Sequence, residues 1–281
     1  MSSTALRQKS STEGKASISS SFSRYIVMVE KELLELVRSF KLLWVPLVFI
    51  LLGIMQPVTT YYMPVILMQT GGLPEGTVIE MPMPLGAEVL AQTLQQFSTI
   101  GILVLVLVCM GTVSSERNSG AASLILVKPI SVLAFIGSKW TAMLILTWGS
   151  LSTGYLASWY YTGLLIGTVP FAKMASSLLV YGLWLTFVIT VTILFSSLLR
   201  SPAAAAFCAI GGTLALSLLI SLFPKALGWS PGALSGFASQ AVVSEITNSG
   251  RFGLAIVVTV ISIAVFVLIS SAVLKRSSTV D

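Results

Sequence analysis

The chain has 281 residues, of which 55% are hydrophobic and only 9% charged, with a net charge of +6 and a mean hydropathy of +0.94. Soluble domains carry about a quarter charged residues, so this composition excludes one and predicts an all-α integral membrane protein. The lack of histidine removes the commonest metal ligand and the usual general base, and with them most hydrolase and metalloenzyme schemes; no metal site and no catalytic residue are expected.

Residues 1–23 are rich in Ser and Thr and hold no apolar run, which predicts a disordered cytoplasmic tail. From Arg24 to Lys41, Ile26, Val29, Leu33, Leu36, Val37 and Phe40 recur at helical spacing as a stripe about 100° wide, with Lys31, Glu32, Glu35 and Arg38 expected on the other side. Such an amphipathic helix lies in the membrane interface or packs on a partner. Six charge-free apolar runs follow: Leu42 to Met68, Val89 to Val113, Trp140 to Ile166, Met174 to Leu199, Ala203 to Phe223 and Phe252 to Leu274. Each is near or above the roughly 20 residues a helix needs to cross the bilayer core. Pro46, Pro57 and Pro64 make the first span the expected place for a kink or unwound turn.

Between spans two and three lies a half-polar stretch, Thr112 to Lys139. Ser114 or Ser115 suits a helix start, Glu116 the positive end of the dipole, and Pro129 the stop. On the opposite side of the membrane, Gln69 to Glu88 and Pro224 to Arg251 form longer loops. In the second of these, Ser230 and Pro231 signal either a short helix through Val243 or a simple loop with one amphipathic turn. Small residues in the fifth span, spaced as Ala205 to Ala209 and Gly211 to Ala215, allow close helix approach within the chain or between subunits. Cys109 and Cys208 lie inside spans and are expected to act as small buried hydrophobes.

Basic residues set the orientation. With both termini inside, Arg7, Lys9, Lys15, Arg24, Lys31, Arg38, Lys41, Arg117, Lys128, Lys139, Arg200, Lys275 and Arg276 are cytoplasmic, against Lys173, Lys225 and Arg251 outside. That asymmetry predicts an N-in, C-in multi-pass protein of the cell membrane, the bacterial plasma membrane.

No ionisable group lies centrally in any span, which speaks against a proton- or ion-coupled secondary transporter, as does the lack of an inverted repeat. The nearest thing to a phosphate loop, Gly149 to Gly154 (GSLSTG), is followed by Tyr155 in place of Lys and lies inside a span, so it predicts a small-residue packing face and no nucleotide site. A membrane serine protease fails for want of histidine, and paired-aspartate chemistry fails because Asp281 is the only aspartate.

The stretch with Glu116, Gly120, Leu124 to Leu126, Pro129 and Lys139, placed between the second and third of six spans, resembles the coupling segment of ABC-2 type permeases, the membrane subunits of ABC exporters. The resemblance covers the chain after residue 24: interfacial helix 24–41, six spans over 42–274, coupling segment 114–131, and a short outer helix before span six. It implies a half-transporter that pairs with a second permease subunit, identical or sister, in the lipid bilayer. Separate ABC ATPase subunits would bind ATP and Mg, with no cofactor in this chain and no nucleic acid involved. Glu116, Arg117, Asn118, Gly120, Leu124 and Pro129, with Glu32, Glu35 and Arg38 of the first helix, would then couple to the ATPase, Glu116 through a cation or backbone donor on it. The second and fifth spans would line the path through Gln92, Gln95, Gln96, Phe97, Ser98, Thr99, Thr213 and Ser217. Walls without fixed charge suit an apolar or amphipathic cargo such as a drug, lipid or hydrophobic peptide. A non-transporting membrane scaffold or immunity protein shares the same sequence features.

Overall fold

The computed structural model describes residues 22–70, 84–118, 131–244 and 249–277. All of the regular elements among them are helical. A first helix, α1 (22–38), leads through an elbow at Ser39 and Phe40 into α2 (Lys41–Thr70). The second span is built of α3 (Gly86–Gln96), a π-helical turn (Phe97–Gly101), α4 (Ile102–Cys109) and the short α5 (Ser114–Asn118). Then come α6 (Val132–Leu165), α7 (Phe171–Leu198), α8 (Pro202–Leu222), the single turn α9 (Pro224–Leu227), α10 (Ala233–Val243) and α11 (Ser249–Ser277). Six helices are long and apolar enough to span a membrane, each 21 to 34 residues, so the protein is a multi-span membrane protein.

The spans hold together by two devices. The first is close backbone approach: α2 meets α6 where Gly53 faces Gly154, and a Cβ built on Gly154 would lie 2.6 Å from the Phe49 carbonyl oxygen. The glycine-flanked run at 149–154 is thus a packing face. The second is a ladder of polar pairs between the antiparallel α6 and α7. Trp140 Nε1 donates to Thr190 Oγ1, Trp148 Nε1 to Thr186 Oγ1, and the Tyr155 and Ser177 hydroxyls share a bond. Thr93 with Ser158 and Ser98 with Tyr181 tie α3 and the π turn to the same pair. Between apolar surfaces a hydroxyl with no partner is costly, so these pairs set register as well as contact.

Three expectations change. The prolines do not interrupt α2, which stays helical through all three. The irregular turn falls instead in the second span, where the Ser98 and Thr99 hydroxyls bond the carbonyls of Leu94 and Gln95 and so serve backbone acceptors at the π turn. In the loop between the fifth and sixth spans the short helix forms and packs inward, burying Leu234, Ala238 and Val242 against α3 and α7, yet Ser230 does not cap it. Its hydroxyl is buried without a partner among the described residues, and helix α10 begins after Gly232.

Candidate functional site

Helix α1 has a buried edge made of Met28, Val29, Glu32, Leu33 and Leu36, at the i, i+3, i+4 spacing of a helix face. Tyr25 extends this edge by donating to the Gly137 carbonyl and bonding Thr141 Oγ1. Glu32 therefore belongs to the inward face rather than the solvent face expected for it, and is only 8% exposed. Of the apolar stripe read from the sequence, Val29, Leu33 and Leu36 face the bundle. Ile26, Val37 and Phe40 stay exposed, as the stripe is wider than the groove that receives it.

The third span starts earlier than its apolar run suggests. Ser131 caps it by accepting from the Ala134 backbone N–H, so α6 is already two turns long when it reaches Lys139. Lys139 sits among the buried Phe135, Ile136, Ala142 and Met143 and is 2% exposed. Its ammonium lies 3.0 Å from both Glu32 oxygens, 2.8 Å from Glu116 Oε1 and 5.0 Å from the centre of the Phe135 ring. A buried ammonium needs this: taking the charge out of water is tolerable only with opposite charges and filled hydrogen-bond positions. Lys31, half exposed, adds bonds of 3.1 Å to Glu32 and 3.4 Å to Glu116. Burial alone would lower the Lys31 pKa, but the two carboxylates outweigh it and hold it above its ordinary value.

Glu116 reaches this cluster because the second span does not stop at Val113. Helix α4 ends at Cys109, and a turn over 110–113 leads into α5. There the backbone N–H groups of Val113 and Ser114 both donate to Ser196 Oγ at the end of α7. On the other side of α5, the Arg117 guanidinium donates to the Ser197 carbonyl and Asn118 to the Arg200 carbonyl. The Ser197 carbonyl, one of the last of α7 with no acceptor role inside its own helix, thus receives a cation, as a helix C-terminus favours, and the amide of Asn118 binds the turn beyond it. The five residues of α5 join four elements: α1 and α6 through Glu116, α7 and the turn after it through Arg117 and Asn118.

A cavity of about 330 Å³ opens beside the cluster, lined by Glu32, Glu35, Lys41, Glu116, Lys139 and Pro202 among others. Glu32, Glu35 and Glu116 each bring one oxygen within 4.8 Å of the others, a spacing that could hold a cation. The Lys139 and Lys31 ammonium groups already take oxygens of Glu32 and Glu116.

The sequence-chosen coupling residues are thus partly gathered. Glu32 and Glu116 meet directly and Glu35 borders them; Arg38 is exposed on α1; Arg117 and Asn118 are turned onto α7. Gly120, Leu124 and Pro129 lie outside the described residues. Lys139, read from the sequence as the end of the resembling stretch where the next span begins, is the centre of the cluster. The sequence pattern placed Glu32 on the polar side of its helix, so the pairing of Lys139 with Glu32 was not legible from it.

The lining candidates separate into two sets. Gln92, Gln95 and Thr99 are exposed on one face of the second span, and Ser217 is exposed on α8. Gln96 is half-buried, with Nε2 on Met55 Sδ at 3.6 Å. Phe97 and Thr213 do not line any open face: Phe97 is fully buried with its ring 5.0 Å from that of Phe49, and Thr213 turns its hydroxyl to the Ala209 carbonyl. Ser98 likewise points inward to Tyr181.

No family model matches the chain. It is 39% identical over 209 residues to the uncharacterized transmembrane protein YxlG of Bacillus subtilis (strain 168), a match covering 74% of this chain and 81% of that protein. With six apolar helices on one side of the argument and this identity on the other, the chain belongs to the family of the transmembrane protein YxlG.

Proposed function

We propose that the protein is the membrane subunit of an ATP-driven transporter of the ABC-2 kind, moving a neutral apolar or amphipathic cargo out across the cell membrane with energy from separate ATPase subunits. The observation that carries this reading is the α5 junction. A transporter driven from outside its own helices needs a place where force on one short segment reaches several spans at once. Helix α5 is bonded to α1, α6 and α7 by charged and backbone-directed contacts, and it lies within the segment 114–131 that resembles a coupling segment. The cluster also revises the role of Glu116. Its carboxylate is engaged by Lys139 inside the chain, so Glu116 passes a displacement inward rather than meeting a cation of the ATPase. The neutral face of Gln92, Gln95 and Thr99 supports a cargo without fixed charge.

The test is reconstitution with any ABC ATPase that neighbouring genes encode. The expected result is cargo-stimulated ATP hydrolysis that falls at least tenfold in Glu116→Gln while the complex still assembles. Without the ATPase the chain neither binds nor hydrolyses ATP. Saturable nucleotide binding by the chain alone, or failure of every neighbouring ATPase to associate, would overturn the reading.

A further inference from the structure

The second span is interrupted between α4 and α5, and the interruption is defined bond by bond. An unbroken helix would join the N–H groups of Thr112, Val113 and Ser114 to the carbonyls of Val108, Cys109 and Met110. Thr112 N–H turns instead to the Cys109 carbonyl at 3.1 Å, which the Thr112 hydroxyl also meets at 2.7 Å. The N–H groups of Val113 and Ser114 go to Ser196 Oγ on α7, at 3.2 and 3.1 Å. The Ser196 hydroxyl in turn donates to the Met110 carbonyl at 2.7 Å, and Lys41 at the start of α2 donates to the Val108 carbonyl at 3.4 Å.

Every backbone group released from the ladder is thus taken up by a substitute. A serine hydroxyl has one donor and two acceptor sites, and Ser196, fully buried, uses all of them on this backbone. A side chain entering the i→i−4 ladder is one of the few causes of a sharp helix break. An unbroken helix would satisfy the same groups from within, so hydrogen bonding alone does not separate the two arrangements. Nor does the local sequence. Residues 110–113, Met-Gly-Thr-Val, contain no proline, and none has a φ in the left-handed region. What differs is the direction of α5, and with it the reach of Glu116 to Lys139 and of Arg117 to the Ser197 carbonyl.

We propose that the break at 110–113 is a two-state joint. In the state described here, Ser196 and Lys41 hold it open; in the other, the second span is helical without interruption from Ile102 to Asn118 and α5 points in a new direction. The groups that decide between the states come from α7 and α2, so small shifts of those helices are turned into a swing of α5. The joint goes beyond the transport reading, since it rests on the backbone and on no cargo or ATPase.

Nitroxide labels on the full chain in detergent read the direction of α5. Cys208→Ala is made and the fully buried Cys109 is kept. Ser115→Cys on α5 is then paired in turn with Phe207→Cys on α8 and Leu133→Cys on α6, all three exposed positions. Pulsed dipolar spectroscopy measures both distances with no further change, and in Ser196→Ala, Ser196→Thr and Lys41→Met. The expected result in Ser196→Ala is a second distance about 3 Å or more from the first, held by about half of the molecules or more. Lys41→Met should populate that same second distance, and Ser196→Thr, which keeps the hydroxyl, should stay at the first. Two donors on different helices that lead to one alternative distance mark a shared second state, which a hydroxyl of purely local packing value does not produce. Lys41 is only half-buried at a helix start, so Lys41→Met reads the joint even where Ser196→Ala fails to fold. The first distance retained in Lys41→Met or in a folded Ser196→Ala overturns the proposal. So do unequal second distances in the two variants, or a distribution that only broadens, which is fraying of α5. ATPase association is a separate readout: its failure would sink the transport reading and leave the joint standing, and a rigid α5 in a working transporter would do the opposite.

Discussion

At the scale of single residues, the protein turns on a lysine that has no water. Lys139 is held by Glu32 and Glu116, and both Lys139 and Glu32 are nearly sealed from solvent. Removing one member of such a pair strands the other, which costs about 3 to 5 kcal/mol, while replacing both by neutral groups of like size is often close to neutral. Lys139→Met is therefore expected to lower thermal stability in detergent strongly, and Glu32→Gln added to it to restore most of the loss. If the double substitution is as unstable as the single, the bond is not what holds α1 to α6. The same cluster fixes a pH window. Because the Lys31 pKa is raised above 10.5, its contribution is complete below that value and is lost only as the pH climbs past it, so neutral and mildly alkaline conditions leave it intact. Phe40 is the other unusual residue. Its φ of 56° places a bulky, exposed side chain in the left-handed region at the α1 to α2 elbow, where Phe40→Gly should stabilise the fold by about 1 kcal/mol and Phe40→Ala should not.

At the scale of elements, hydropathy made the spans legible and charge hid where they end. A sequence reading stops an apolar helix at the first ionisable residue because an isolated charge is expensive in the membrane. That reasoning put the boundary at Val113 and again at Trp140, yet α5 carries the second span to Asn118 and α6 begins at Val132. The charges are admitted because they neutralise one another across three helices, a relation between distant positions that no window of sequence contains. Proline marks a missing N–H but not which helix has neighbours able to tolerate it, and α2 does not unwind at any of its three. The glycine of the α2–α6 crossing was legible as part of a small-residue face but not as a point of backbone contact. There Gly154→Ala must displace the Phe49 carbonyl and push the helices apart, with an expected cost of about 1 to 3 kcal/mol. Gly149→Ala, with nothing within 4 Å, should be neutral or slightly stabilising in the same melting experiment, which separates crowding from helix propensity.

At the scale of the whole molecule, the basic residues that were counted along the chain become a surface. Lys31 and Lys139 meet in the cluster, Lys41 bonds the Val108 carbonyl beside the same cavity, and Arg117 and Asn118 bond the carbonyls of Ser197 and Arg200. Six of the basic side chains assigned to the cytoplasm on count alone, Lys31, Arg38, Lys41, Arg117, Lys139 and Arg200, are thus at one end of the bundle. Lys173 stands in the first turn of α7, a helix of 28 residues whose other end receives Arg117, so it lies at the far end. The positive-inside tendency acts on such clusters near span ends, and the prediction is that this end faces the cytoplasm. Single cysteines at Arg38, Asn118 and Lys275 should resist an impermeant maleimide added to intact cells and react once the cells are opened, while cysteines at Lys173 and Arg251 should react from outside. Because Asn118 and Arg38 sit on different helices joined through the α5 junction, they must behave alike. Labelling of one from outside and the other only from within would contradict the packing as well as the orientation.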